Sequence, residues 1–402
     1  DDAFIVSESE EGLQKMSNNL HHFSETNGLK INLDKTRIMI FNKSGRHIRK
    51  RFFLGETPVE TTREYKYLGF KITPSGEIQS GLKDLKDRAL KAFMKLKMKL
   101  GPRFRKFPQI TIKLFNTLVR PILLYASDFW GILKMPKSNP IDTLFLSFCK
   151  QLLGVDKTTT NIGVLLELGL VPLNIYAQKY SIQNWNRIAK LETCNPLTSL
   201  SYRNSTLEEL TWPSMIKRNL SRCGMMDAFL YEGRVNTPQR FFQRMKDIFH
   251  QESLAEISES SSKLRTYKEF KREMCLENYL DIISCERDKI NLSRFRLSNH
   301  QLMIERGRHL KIPKEQRFCP ICTNEIEDEV HFLTACKLFV SERQILFDNV
   351  NIRNKEFLRL NNLEKCKFLM TNDDTIGITA EFISNAFTKK QNLQNEPQET
   401  CP

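Results

Sequence analysis

A chain of 402 residues is longer than a single hydrophobic core normally serves, so at least two domains are expected. Its 40% hydrophobic and 27% charged residues are the composition expected of an ordinary soluble protein. The formal charge of +15 favours a polyanion as partner, and nucleic acid over membrane, because the best apolar run, residues 121–133, is too short to span a bilayer and contains Asp128.

The first residues, Asp1-Asp2-Ala3-Phe4-Ile5-Val6, set a carboxylate pair against an apolar strand. Ser7 and Glu10 then read as a capping box for a helix with Leu13, Met16, Leu20 and Phe23 on one face, ended by Gly28. Strands are expected at residues 36–41, at 51–54 with Val59 around Gly55-Glu56, and along 65–72, closed by Pro74-Ser75-Gly76. Together these make a small α+β unit over residues 1–76.

From Glu77 onward the period changes to helical. Leu82, Leu85, Ala89, Phe93, Leu96 and Leu100 form an apolar seam that stops at Gly101-Pro102. Around it, ten Lys or Arg, among them Lys83, Arg88, Lys91, Lys95, Lys99, Arg103, Arg105 and Lys106, outnumber two Asp. Such a run is either a solvated helix face or a surface for phosphates. A helix over 111–125 interrupted at Pro121, with Tyr125 and Trp130 in the core, and an amphipathic helix over 141–153 ending at Gly154 complete a helical region 77–155.

Residues 156–290 read as a mostly helical connector region. Within it, 176–191 is one helix with Trp185 buried, 195–214 a polar connector, 252–263 a Ser/Glu-rich linker, and 264–283 a helix again. Residues 293–297 and 306–309 are basic, suited equally to phosphates or to a solvated helix end.

The most specific chemistry lies at Cys319-x2-Cys322-x8-His331-x4-Cys336. Three thiolates and one imidazole are a complete tetrahedral first shell for structural Zn2+, and a helix over 328–340 would turn His331 and Cys336 toward one point. Zinc in so short a segment would take the place of a hydrophobic core. The other cysteines are scattered singly, which suits a reducing intracellular compartment, nucleus or cytoplasm. Residues 291–390 therefore form a CCHC zinc-binding module with flanking helices, near 338–349 and 355–370, and 391–402 a polar, disordered tail.

Three of these segments carry a family likeness. Asp1-Asp2, Gly28-Leu29-Lys30-Ile31-Asn32-Leu33-Asp34-Lys35-Thr36 and Tyr67-Leu68-Gly69 stand in the order and spacing of the palm of LINE-type (non-LTR) retrotransposon reverse transcriptases, which the chain resembles over residues 1 to about 155 and again at the zinc module. The resemblance implies a fold that is α+β but mostly α: a partial polymerase palm with a small antiparallel sheet and helix, a helical thumb, a helical region and a zinc module. It implies Mg2+ or Mn2+ on Asp1 and Asp2, Lys35 near the leaving pyrophosphate, and a primer grip at Tyr67, Leu68 and Gly69. Two-metal nucleotidyl transfer needs such hard carboxylate ligands. The implied partners are template RNA and target DNA, with phosphate contact along the thumb and no membrane. Read as a C-terminal fragment that starts inside the palm motif, the chain is not expected to polymerise alone. The alternative expectation is a non-catalytic, zinc-dependent nucleic-acid-binding protein derived from such an element.

Overall fold

Apolar residues spaced three and four apart dominate the chain, and the structure that results is mostly helical with two two-stranded antiparallel sheets. It is a computed structural model describing residues 4–136, 138–190, 196–209, 211–231, 236–259 and 263–395. Two compact units divide the chain, Asp1–Ala89 and Leu90–Pro402, and the division falls inside the helix Gln79–Leu100.

In the first unit the helix Glu10–Thr26 is capped by Ser9, whose side chain accepts from the amide of Gly12, rather than by Ser7. The Ser7 hydroxyl donates instead to the carbonyl of Ser9. The face expected to be buried is turned aside: Met16 and Phe23 are exposed, whereas Ser17 and Ser24 are buried. A local cause is Gln14, whose amide donates to the carbonyl of Phe53 and accepts from its N–H, so the helix lies along a strand edge through a side chain that the apolar pattern ignores.

That strand is β1 (Phe52–Leu54), paired with β2 (Thr57–Val59) in the register Phe52 to Val59 and Leu54 to Thr57. Gly55 turns between them at φ 61°, and a Cβ there would meet the His21 ring at 2.5 Å. The expected strand over 65–72 is a hairpin instead, β3 (Tyr65–Tyr67) against β4 (Phe70–Ile72). Leu68 at φ 44° and Gly69 at φ 80° form its two-residue turn, the doubly left-handed type whose twist matches the strands. The strand expected at 36–41 is reduced to one bridge between Ile38 and Thr61, and residues 4–6 have no strand.

The helix Gln79–Leu100 follows its apolar seam, with Leu82, Leu85, Ala89, Phe93 and Leu96 all buried, and Gly101 ends it at φ 50°. In the second unit Phe93 joins Phe104, Phe115, Phe145 and Phe148 in an aromatic core, with Phe115 stacked on Phe148 at 4.0 Å. The helices Pro108–Leu118 and Pro140–Leu153 carry three of these rings. Asn139 caps the latter and Gly154 at φ 69° terminates it. Trp130 and Trp185 are fully buried as expected, but Tyr125 is exposed.

Three expectations for the middle of the chain are corrected. The polar connector at 195–214 is, over its described residues, the helix Pro196–Thr206 and the start of Trp212–Arg222, held by the Trp185 Nε1 donating to the Tyr202 hydroxyl at 2.9 Å. The linker at 252–263 is the end of the long helix Thr237–Glu259, where Ser253 and Ile257 are buried; residues 260–262 lie outside the described residues. The helix expected at 264–283 exists only as the turns Tyr267–Phe270 and Tyr279–Ile282, because the backbone between them runs extended to bridge Leu276 to Leu168.

At the end of the chain the helices Val340–Arg353, Asn362–Thr371 and Ile376–Asn395 pack around the helix Glu286–Arg296 and the short helix Glu329–Thr334. The last of them extends into the tail expected to be disordered at 391–402, as far as Asn395. Residues 396–402 lie outside the described residues. Among the described residues no helix is long and apolar enough to cross a membrane.

Candidate metal centre

Cys319 and Cys322 sit in a tight loop closed by the Phe318–Ile326 bridge and by the Cys319 amide donating to the carbonyl of Glu325 at 2.7 Å. Within the loop the amides of Ile321 and Cys322 point at the Cys319 sulfur, and Thr323 takes a left-handed φ of 60° to complete the turn. Asp328 caps the Glu329–Thr334 helix by accepting from the amide of His331 at 2.8 Å, which fixes where His331 leaves the backbone. The single helix expected over 328–340 breaks at Thr334. Cys336 is carried by the turn that follows, its amide bonded to the His331 carbonyl, and the next amide, Lys337, donates to the Cys322 sulfur at 3.3 Å.

The four ligand atoms lie within 4.8 Å of one another and all four residues are buried. The sulfurs of Cys319 and Cys336 are 3.8 Å apart. A tetrahedron with Zn–S bonds of about 2.3 Å has an edge of about 3.8 Å, so this pair is already at metal-binding separation. No disulfide forms among them. His331 gives the sharper sign: its Nδ1 pairs with the Glu325 carboxylate at 2.7 Å, while its Nε2 is buried without a hydrogen-bond partner. A carboxylate on Nδ1 places the proton there and leaves the Nε2 lone pair free, the usual arrangement of a metal-bound histidine.

Electrostatics point the same way. Burial pushes the Cys319 thiol up, and it pushes Cys336 up to about 12 with the other two cysteines adding to the effect. Neutral thiols at Cys319 and Cys336 beside an unpartnered imidazole nitrogen leave buried polar groups unsatisfied, whereas a divalent cation would hold the sulfurs as thiolates. The residues present thus fit a metal such as zinc. Arg343, donating to the Cys336 carbonyl at 2.6 Å, adds positive charge beside the sulfurs.

This module is no free-standing finger. Phe332 and Leu333 between the ligands are fully buried, and the Phe332 ring packs on Phe295, Phe339 and Phe387. The loop from Cys322 to His331 also sends two carboxylates into the helical body. Glu327 pairs with Lys390 and accepts from the amide of Met303 at 2.7 Å, at the start of the helix Met303–His309. Glu329 accepts from Arg265 at 2.6 Å and pairs with His300 at 2.9 Å; Arg265 also reaches Glu305. The expectation that zinc stands in for a hydrophobic core is therefore corrected: the site has one beside it. Spacing alone missed Glu325, Glu327 and Glu329; the signal was an acidic run between two ligand pairs, which looks like a solvated loop.

The other expected site residues are placed as follows. Asp1 and Asp2 lie outside the described residues. Lys35 is exposed, and its carbonyl accepts from the Tyr65 hydroxyl at 3.1 Å, which ties the Gly28-to-Thr36 segment to the hairpin of Tyr67, Leu68 and Gly69. Lys83, Lys91, Lys95, Lys99, Arg103 and Lys106 are exposed. Arg88 is held by Asp84 at 3.1 Å and by the Gly69 carbonyl, and Arg105 by Glu286 at 2.9 Å and the Gln151 carbonyl, so these two are partly spent on the fold. Leu90, Met94 and Met98 are exposed on the same helix as the lysines. In the basic segment before the metal loop, Arg296 points inward and is buried against Glu167 and Glu277, which removes it from any phosphate-binding surface.

Fold and site together define a mostly helical α+β protein with a buried Cys3His group able to hold a metal such as zinc. No protein-family model and no curated protein matches the chain.

Proposed function

We propose that the chain is the part of a LINE-type reverse transcriptase, an RNA-directed DNA polymerase, that runs from the palm through the thumb to a zinc-bearing C-terminal module. The observation that carries this reading is the order of segments in one chain: Gly28 to Thr36, then Tyr67-Leu68-Gly69, then the basic helix, then the Cys3His group. The Tyr65–Lys35 bond supports it by drawing the first two segments together. Template RNA and target DNA are the partners, with exposed Lys91, Lys95, Lys99, Arg103 and Lys106 on their phosphates. Asp1 and Asp2 would hold the Mg2+ or Mn2+ that supplies charge stabilisation in nucleotidyl transfer.

A second reading, a non-catalytic zinc-dependent nucleic-acid-binding protein derived from such an element, is favoured by one observation. Among the described residues the group that is fully assembled is the Cys3His cluster. Anisotropy of labelled structured RNA and duplex DNA with the full chain tests what both readings share. Log affinity should fall with log salt by about 0.9 per phosphate, and changing Lys91, Lys95 and Lys99 together to Glu should flatten the slope by about one for each phosphate no longer neutralised. A slope that is flat in the unaltered chain refutes both. Primer extension on an RNA template with Mg2+ and nucleotides is expected to be absent from this chain alone under both readings; run with the chain joined to the in-frame sequence encoded upstream of Asp1, it separates the polymerase from the binding protein.

A further inference from the structure

In the second unit, helices Pro108–Leu118, Arg120–Leu123 and Leu173–Ile188 contribute the walls of a cleft of about 240 Å3, lined by Asn116, Arg120, Pro121, Leu124 and Tyr180. Its chemistry is mixed: Pro121 and Leu124 are apolar, Asn116 offers an amide donor and acceptor, Tyr180 a ring and a hydroxyl, and Arg120 a planar cation. The Arg120 guanidinium lies 4.7 Å over the Tyr176 ring, Tyr176 packs at 4.9 Å on Phe242, and Lys179 lies 4.9 Å over Phe242. Two cations thus bracket a pair of packed rings, one turn of helix from Tyr180.

Neither Arg120 nor Lys179 has a carboxylate partner among the described residues, and the Asn116 and Tyr180 side chains make no hydrogen bond to them. Arg120 is shared with Tyr176, by its ring and by a side-chain hydrogen bond, and Lys179 with the Phe242 ring, which leaves the amide and the phenol open to a ligand; the combination of rings, an amide and cations is the one that recognises a nucleotide.

We propose that this cleft takes the base of an unpaired nucleotide, with Tyr180 as stacking surface, Asn116 at the base edge, and Arg120 and Lys179 toward the flanking phosphates. A duplex shows the grooves only the edges of its bases, so a stacking cleft of this size selects single strands, loops or ends. The inference rests on the nucleic-acid reading above and deepens it by naming unpaired nucleotides as the ligand of a second surface, separate from the basic helix.

The test is a titration of the full chain with an oligoadenylate carrying one 2-aminopurine, beside a duplex DNA of equal length. Binding should quench the 2-aminopurine. Tyr180→Leu should weaken oligoadenylate binding roughly 5- to 100-fold and abolish the quench, the range that one stacked base is worth. Tyr180→Phe should preserve both, which separates lost stacking from lost folding, and duplex affinity should stay constant in both variants. Absence of quenching in the unaltered chain, or undiminished oligoadenylate affinity in Tyr180→Leu, overturns the proposal. So does polyglutamate that competes as well as the oligonucleotide, which would assign the cleft to an acidic protein segment. In the unaltered chain, duplex binding without oligoadenylate binding sinks this inference alone, whereas failure of both nucleic acids sinks the functional reading beneath it.

Discussion

Replacing Arg296 by Met asks what a buried charge is worth in the second unit. Arg296 is 2% exposed; its Nε donates to Glu167 at 2.6 Å, one terminal nitrogen to Glu277 at 2.6 Å, and the other to the Met370 carbonyl at 2.5 Å. Tyr267 completes the group by donating to Glu167 at 2.8 Å, and the Phe270 and Tyr279 rings flank the guanidinium. Methionine fills much of the volume but leaves the fully buried Glu167 carboxylate without a cation, while Glu277 keeps Lys271. Removing one partner of such a pair costs about 3–5 kcal/mol, because the remaining charge stays desolvated. Urea denaturation followed by far-UV circular dichroism should show that loss at neutral pH. The deficit should shrink as pH falls, since protonating the stranded carboxylate relieves it. Adding Glu167→Leu should recover a large part of the stability. A single variant within about 1 kcal/mol of the parent, or a deficit independent of pH, refutes the electrostatic account.

Chelation, or Cys322→Ser with His331→Ala, should remove one equivalent of bound metal by elemental analysis. Because Glu327 caps the Met303–His309 helix and Glu329 holds Arg265, hydrogen exchange should rise at 303–309 as well as at 319–336, while the aromatic core around Phe148 stays protected. For Glu329, burial raises the carboxyl, but His300 and Arg265 outweigh it and hold the group at about 2. A folded value below the unfolded one means stability present at neutral pH and lost as pH falls through about 4 toward 2. Glu329→Gln should therefore be less stable by roughly 3 kcal/mol at neutral pH, with the gap closing in acid. At the hairpin turn, Leu68 is exposed and left-handed, so Leu68→Asn should raise stability by about 0.5–1 kcal/mol in urea denaturation.

Much of the local structure was legible because its causes are local. The Cys-x2-Cys loop and the His331-to-Cys336 spacing bring ligands together within eighteen residues, and the seam from Leu82 to Leu96 turns one face inward whatever packs there. The β1–β2 hairpin and the stop at Gly154 likewise follow from a glycine with positive φ at a turn or helix end. What misled the reading were residues whose role depends on something distant. Gln14 rotates the first helix by pairing with Phe53, and the apparent linker near Ser253 is held helical by burial.

The same division runs through the functional surfaces. By itself, the sequence determined the Cys3His group able to hold a metal, the sign and location of the basic helix, and a mostly helical α+β chain, since composition, period and short spacings are properties of neighbouring residues. Tertiary structure decided that Arg296 is a buried strut and not a phosphate ligand, that Glu327 and Glu329 fasten the metal loop to the body, and that Asn116, Arg120 and Tyr180 line one cleft. Each of those outcomes depends on partners tens of residues or more away along the chain, where a charge that looks solvated in sequence meets its counterion only after the helices have packed.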